Sequence, residues 1–121
     1  MGESKNQIRV MVVEDSMVTR RILTDILEES SEITVSWTAG DGIDCLEQLK
    51  DEACRPDVIT LDVEMPNLDG MKTLEELLRI HTIPVLMISS HTRHGEKVTL
   101  DALELGAVDF VAKPASDSTI G

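Results

Sequence analysis

Acidic side chains follow two apolar runs of this sequence, at the point where each run ends. Glu14 and Asp15 come directly after IRVMVV, and Asp62 comes directly after VITL. A buried strand rarely ends in unpaired carboxylates, because removing a charge from water is expensive. These acids are therefore either ordinary surface residues at strand exits or groups that are held there for chemistry.

A hydroxyl and a cation lie at the ends of two later apolar runs. Ser89 ends VLMIS, and Lys113 follows VDFVA. If the strands before Asp15 and Asp62 are neighbours, their backbones lie only ~4.8 Å apart, and carboxylates this close resist ionisation unless cations compensate. Lys113 supplies one positive charge, and a divalent metal can supply the rest. A ligand set of oxygens without His or Cys favours a hard ion, Mg²⁺ first.

The elements that must position these residues alternate along the chain. Short apolar runs typical of buried strands occur at Ile8–Val13, Ile33–Ala39, Val58–Leu61, Val85–Ser89 and Val108–Ala112. Amphipathic helical patterns lie between them, and Asp15 or Ser16 can cap the first helix. This alternation predicts an α/β fold with a doubly wound, five-stranded parallel sheet and right-handed crossovers. In such sheets, ligands bind beyond the carboxyl ends of the strands.

Composition narrows the classes of function. A chain of 121 residues suits one domain, and its net charge of −12 argues against binding nucleic acid. No apolar run approaches the length of a membrane span, and the N-terminus has no apolar signal core. Cys45 and Cys54 lack metal-type spacing and are expected to be free thiols in a reducing cytoplasm.

Four short motifs carry a family resemblance. With VVEDS, LDVEMPNLDG, MISS and AKP in this order, each at a strand exit, the sequence resembles the receiver domain of two-component response regulators from Ile8 to Pro114. The longer stretches LDVEMPNLDGMKTLEELLR, IPVLMISSHT and ALELGAVDFVAKP resemble, more narrowly, the receiver of chemotaxis protein-glutamate methylesterases. The resemblance implies a flavodoxin-like strand order, 2-1-3-4-5. It divides the chain into a receiver domain, 1–114, and the start of a linker, 115–121, with the final helix of the family missing.

The resemblance also implies roles for individual residues. Asp62 is expected to accept a phosphoryl group, and Lys113 and Ser89 are expected to contact its oxygens. The expected ligands of Mg²⁺ are Asp15, Asp62, Glu14 (directly or through water) and the backbone carbonyl of Glu64. Ser89 and Phe110 are the expected switch residues, and the Lys113–Pro114 peptide bond is expected to be cis.

The function implied is Mg²⁺-dependent phosphoryl transfer to Asp62 from a histidine kinase, of the chemotaxis type. Phosphorylation would control the protein's own C-terminal output domain, a methylesterase absent from this chain, so the chain itself is not expected to be an enzyme. A stand-alone receiver, or one with another output, is the alternative. Apolar surface on the first helix and the last strand is expected to be exposed and to promote self-association.

Two other classes of protein fit the sequence less well. A flavodoxin-like nucleotide or flavin module needs a phosphate-binding loop rich in Gly, Ser or Thr after the first strand, where this chain has EDS. A phosphatase of the haloacid dehalogenase type needs an Asp-x-Asp nucleophile motif there, which VVEDSM does not supply. Arg20 and Arg21 are expected on the exposed face of the first helix, near the acidic site. Solvated charges are the default expectation, and a kinase-docking role is the alternative.

Overall fold

Strands and helices alternate through the chain in the predicted order. The computed structural model describes residues 6–65, 68–89 and 97–113. The elements are β1 Ile8–Val13, α1 Met17–Leu27, β2 Ile33–Ala39, α2 Gly42–Gln48, β3 Val58–Asp62, α3 Gly70–Ile80, β4 Val85–Ser89, α4 Lys97–Leu105 and β5 Asp109–Ala112. The α/β class is thereby confirmed, and the predicted strand boundaries differ from these by at most one residue.

The strands form one parallel sheet in the order β2-β1-β3-β4-β5. This order confirms the flavodoxin-like arrangement that the resemblance implied. The register pairs Val13 of β1 with Leu61 of β3, so the two strands end side by side. On the other side of β3, Asp62 is paired with Ile88 of β4. The residues that follow β1, β3 and β4 are thereby brought to one edge of the sheet.

Polar caps set the starts of the first three helices. Ser16 caps α1, and its hydroxyl accepts a hydrogen bond from the Thr19 N–H at 3.2 Å. Asp41 caps α2 and Asp69 caps α3 through carboxylate contacts with the third residue beyond the cap. Such caps satisfy N–H groups that lack a partner within the helix. The caps of α1 and α2 thus follow the exits of β1 and β2 closely, whereas α3 begins after a longer turn.

The sheet separates two apolar layers. The larger layer contains Met11, Ile59, Leu61, Met87 and apolar residues of α2 to α4, and Phe110 belongs to it. The smaller layer contains Val10, Val12 and Ile88 packed against Leu23 of α1. These two layers bury both faces of the central strands, which explains their nearly continuous apolar sequences.

Several apolar side chains of α1 and β5 are not covered by the smaller layer and are exposed to solvent. Val18 and Ile26 of α1 are 67% and 46% exposed, and Val111 of β5 is 42% exposed. The structure therefore agrees with the expectation of exposed apolar surface on the first helix and the last strand. Residues 114–121, which contain the predicted linker, lie outside the described part of the chain. Within the described residues, no helix has the length and apolarity that crossing a membrane requires.

Candidate functional site

Three carboxyl groups meet at the carboxyl edge of the sheet. Oxygen atoms of Glu14, Asp15 and Asp62 all lie within 4.8 Å of one another. Glu14 and Asp62 are 0% and 1% exposed, whereas Asp15 faces solvent. The parallel register of β1 and β3 accounts for this proximity, because both strands end at the same level. The predicted convergence of these acids is confirmed.

Lys113 supplies the positive charge at this site. Its Nζ lies 3.2 Å from Asp62 Oδ1 and 3.3 Å from Glu14 Oε1, and its side chain is 17% exposed. The main chain holds the residue in place, since the Lys113 N–H donates to the Ser89 carbonyl at 2.9 Å. The lysine thus extends from the end of β5 across β4 to the two buried acids.

Short turns fix the direction of both buried carboxylates. Glu14 Oε2 accepts a hydrogen bond from the Ser16 N–H at 3.0 Å. Asp62 Oδ1 accepts one from the Glu64 N–H at 3.3 Å. In each case the donor is the main-chain N–H two residues after the acid. The backbone that follows the strand therefore orients the carboxylate. The Glu64 side chain is exposed, in keeping with the expectation that only its main chain takes part in the site.

Burial dominates the ionisation of the acids. It raises the pKa of Glu14 and of Asp62 above their ordinary values, because the charged form loses hydration. The Ser16 N–H and Lys113 lower the pKa of Glu14, and Lys113 and the Glu64 N–H lower that of Asp62, without reversing the shift. Burial also lowers the pKa of Lys113, but the Asp62 and Glu14 charges outweigh it, so this pKa lies above its usual value.

The donor set fits a divalent cation. Within the described residues, Asp62 Oδ2 and Glu14 Oε1 are buried without a hydrogen-bond partner, although Lys113 lies near Glu14 Oε1 as an ion-pair partner. A buried carboxylate oxygen that lacks a donor is costly. One ammonium group cannot balance three carboxylates that lie this close. Carboxylate ligands without His or Cys suit Mg²⁺ or a similar hard ion.

The two predicted switch residues lie on β4 and β5, and of these strands β4 is the neighbour of the strand that carries Asp62. Ser89 ends β4 and is 1% exposed, one strand away from Asp62. Phe110 is 9% exposed, pairs with Met87 in the sheet and packs in the larger layer. The predicted cis bond involves Pro114, which lies outside the described residues.

The contacts of two residues at the site were not predicted from the sequence. Arg20 is half-buried, and its Nη1 donates to the Glu14 carbonyl at 2.8 Å, in contrast to the expected solvated charge. Gly70 lies so close to the backbone of Asp62 and Val63 that a Cβ there would overlap both. The sequence carries a signal only for Gly70, in its Asp-Gly turn.

Comparisons with known proteins agree with this geometry. Residues 10–120 match the family described as "Response regulator receiver domain". A protein-glutamate methylesterase/protein-glutamine glutaminase from Symbiobacterium thermophilum is 52% identical over 113 residues, which cover 93% of this chain and 31% of that protein. A protein of the same name from Pyrococcus abyssi is 45% identical over 94% of this chain and 30% of its own length. The chain thus spans about a third of the length of these relatives.

Solved structures show the same fold. The response regulator domain of CheB from Thermotoga maritima superposes with a TM-score of 0.80 at 42% identity, covering 90% of this chain and 80% of that chain. A chain from the CheX–CheY–BeF3–Mg²⁺ complex of Borrelia burgdorferi has a TM-score of 0.78 at 30% identity, covering 93% of this chain and 83% of that chain. With the sequence match and the shared fold, the chain belongs to the response regulator receiver domain family.

Proposed function

We propose that this chain is the phosphoacceptor domain of a chemotaxis response regulator, and that Asp62 receives a phosphoryl group from a histidine kinase. The observation that carries the proposal is the environment of Asp62. This acid is buried at the end of β3, 3.2 Å from the Lys113 ammonium, with Glu14 and Asp15 beside it. A structural ion pair with Lys113 would require only one carboxylate. Phosphoryl transfer also requires a bound cation that neutralises charge, and the three clustered carboxylates would form its site.

The two oxygens of Asp62 have different environments, which suggests the attacking atom. Oδ1 is engaged by Lys113 and by the Glu64 N–H, whereas Oδ2 has no hydrogen-bond partner among the described residues. In the proposed reaction, Oδ2 attacks the phosphorus of a phosphorylated histidine. The new O–P bond forms as the P–N bond breaks, and the imidazole keeps that electron pair and takes up a proton from solvent.

The acidic cluster would hold the cation that such a transfer needs. Asp15, Asp62 and Glu14 would provide carboxylate oxygens, and Glu64 would add its main-chain carbonyl. When bound, Mg²⁺ would supply positive charge that offsets the charge of the phosphoryl oxygens. The presence of Mg²⁺ in the related complex from Borrelia burgdorferi supports this choice of ion.

Ser89 and Phe110 would read the phosphorylated state. The Ser89 hydroxyl would donate a hydrogen bond to a phosphoryl oxygen on Asp62, one strand away. Since the Ser89 carbonyl accepts from the Lys113 N–H, a movement of Ser89 would reach β5. Phe110 lies in the larger layer and has no hydroxyl, so its response would be a change in packing.

The output domain that this receiver would control is proposed to be a methylesterase, joined to its C-terminal side. Relatives with that name are about half identical to this chain, and the region that they share with it is under a third of their length. The chain itself would be regulatory and would catalyse only its own phosphorylation and dephosphorylation. A cytoplasmic location suits this role, and both cysteines are free and buried.

The test is labelling by acetyl phosphate, followed by intact-mass analysis. The wild-type chain should gain one phosphoryl group with Mg²⁺ and little without it. Asp62→Asn should gain none. A matched control is Asp57→Asn, because Asp57 precedes the same strand at the opposite edge of the sheet and its side chain is half exposed. Equal labelling of Asp62→Asn and wild type would refute the assignment of the phosphoacceptor.

A further inference from the structure

Arg20 of α1 turns its side chain back toward the strand that precedes the helix. Its own N–H donates to the carbonyl of the capping residue Ser16 at 2.8 Å, so it lies at the end of the first helical turn. A positive charge in the first turn of a helix interacts unfavourably with the helix dipole. The side chain nevertheless stays half-buried, and its Nη1 lies 2.8 Å from the Glu14 carbonyl oxygen. A specific contact outweighs the unfavourable placement.

The same guanidinium extends to the end of β2. A Cβ at Gly40, the residue after β2, would lie 3.6 Å from Arg20 Nη1. The Glu14 N–H donates to the Ala39 carbonyl at 3.0 Å. The N–H of Glu14 is thus held by the end of β2, and its carbonyl is held by Arg20.

Arg20 and Lys113 act on different parts of the acidic site. Lys113 contacts the carboxylate oxygens of Glu14 and Asp62. Arg20 contacts a main-chain oxygen of Glu14, the residue immediately before Asp15. Lys113 therefore balances charge, whereas Arg20 restrains the backbone from which two of the three clustered carboxylates extend. A buried carbonyl that loses its donor is destabilised, so removing Arg20 favours a rearrangement of the turn that carries Asp15.

We propose that Arg20 is a positioning residue for the divalent-cation site, because it fixes the backbone of Glu14 and with it the direction of Asp15. This inference rests on one part of the proposed function, namely that Glu14, Asp15 and Asp62 form the cation site. Partners that orient metal ligands typically account for about 10–100-fold in metal affinity. Arg20→Met should therefore raise the Kd for Mg²⁺ about tenfold.

The experiment measures Mg²⁺ binding by calorimetry and thermal melting of the metal-free protein, with Arg21→Met as the matched control. Arg21 carries the same charge on the next residue, but it is exposed and pairs with Asp25 at 3.3 Å. Arg21→Met should keep the wild-type Kd. In acetyl phosphate labelling, Arg20→Met should require about tenfold more Mg²⁺ than wild type to reach half of its own maximal rate.

The outcomes separate this inference from the proposed function. If wild type does not bind Mg²⁺ or Asp62 is not labelled, the proposed function fails. If wild type binds and Arg20→Met binds equally well or more tightly, the positioning role is wrong. A lower melting temperature with an unchanged Kd also contradicts it. If Arg20→Met does not fold, Gly40→Leu tests the same contact by displacing the guanidinium while keeping its charge, and an unchanged Kd overturns the proposal.

Discussion

At the scale of residues, the site is defined by charges that the fold holds in unfavourable surroundings. Glu14 and Asp62 are buried beside each other, and Lys113 is their common cation. Burial and mutual repulsion raise the pKa of Glu14, and burial raises that of Asp62. The folded state therefore binds protons at these acids more readily than the unfolded chain does. Without metal, the site is a source of instability that a bound cation or a proton relieves.

This arrangement predicts how stability depends on pH. Between the ordinary pKa values of these acids and their raised values in the folded state, the folded protein holds more protons, so its stability falls as pH rises. Lys113 does not change this window, because its raised pKa keeps it charged until well above neutrality. Asp62→Asn should reduce the slope of this decline and stabilise the metal-free protein near pH 7.

Urea unfolding in EDTA at several pH values would measure this effect. Asp25→Asn is the control, since Asp25 pairs with Arg21 in solvent and such pairs are worth about 0–1 kcal/mol. The wild-type free energy of unfolding could instead rise between mildly acidic and neutral pH, and Asp62→Asn could abolish that rise. This result would contradict raised pKa values for the buried acids.

At the scale of elements, the start of α3 lies against the backbone at the end of β3. Gly70 is its first residue, and the Gly70 N–H donates to the Val63 carbonyl at 2.9 Å. A Cβ at this position would meet the Asp62 carbonyl and would lie 2.8 Å from the Val63 carbonyl oxygen. The absence of a side chain at Gly70 thus lets the helix begin directly beside the site.

Gly70→Ala should consequently destabilise the protein by about 1–3 kcal/mol, as overpacking does elsewhere, and should weaken Mg²⁺ binding by displacing Asp62. Gly40→Ala is the matched control, because its new Cβ would make an ordinary contact 3.6 Å from Arg20 Nη1. Thermal melting and calorimetry would compare the two variants. Equal stability of Gly70→Ala and wild type would show that the close approach is absent in solution.

At the scale of the whole molecule, the two faces of the sheet are covered unequally. The layer beneath α1 ends at β5, where Val111 remains 42% exposed. Residues of α1 four apart lie on one flank, and Val18 and Ile26 form an exposed apolar stripe there. Since Arg20 extends toward β2, this stripe lies on the other flank of the helix. An uncovered apolar face of this kind favours association.

We expect the 121-residue chain to self-associate through this face. Val18→Lys together with Val111→Lys should shift the chain toward monomer in light scattering at high concentration. Ile80→Lys is the control, because Ile80 is similarly exposed but ends α3, which packs in the larger layer. A wild-type chain that stays monomeric at high concentration would contradict the expectation.

The sequence by itself determined the order of the elements and the residues at their exits. Alternating apolar runs and amphipathic segments are local patterns, so the strands could be placed to within a residue. Motif resemblance supplied the strand order, which local patterns do not contain. In α2, apolarity alone does not indicate burial, since Ile43 is exposed whereas Cys45 is buried in the core.

Only the tertiary structure decided the distances between the charges of the site and the side chains that support it. Lys113 lies about fifty residues from Asp62 in sequence, and the parallel order β3-β4-β5 brings their side chains to 3.2 Å. Arg20 appeared to be a solvated helix residue, because helical spacing cannot show that a long side chain folds back onto a preceding carbonyl. Burial and contact depend on neighbours from distant segments, and those neighbours are fixed only when the sheet assembles.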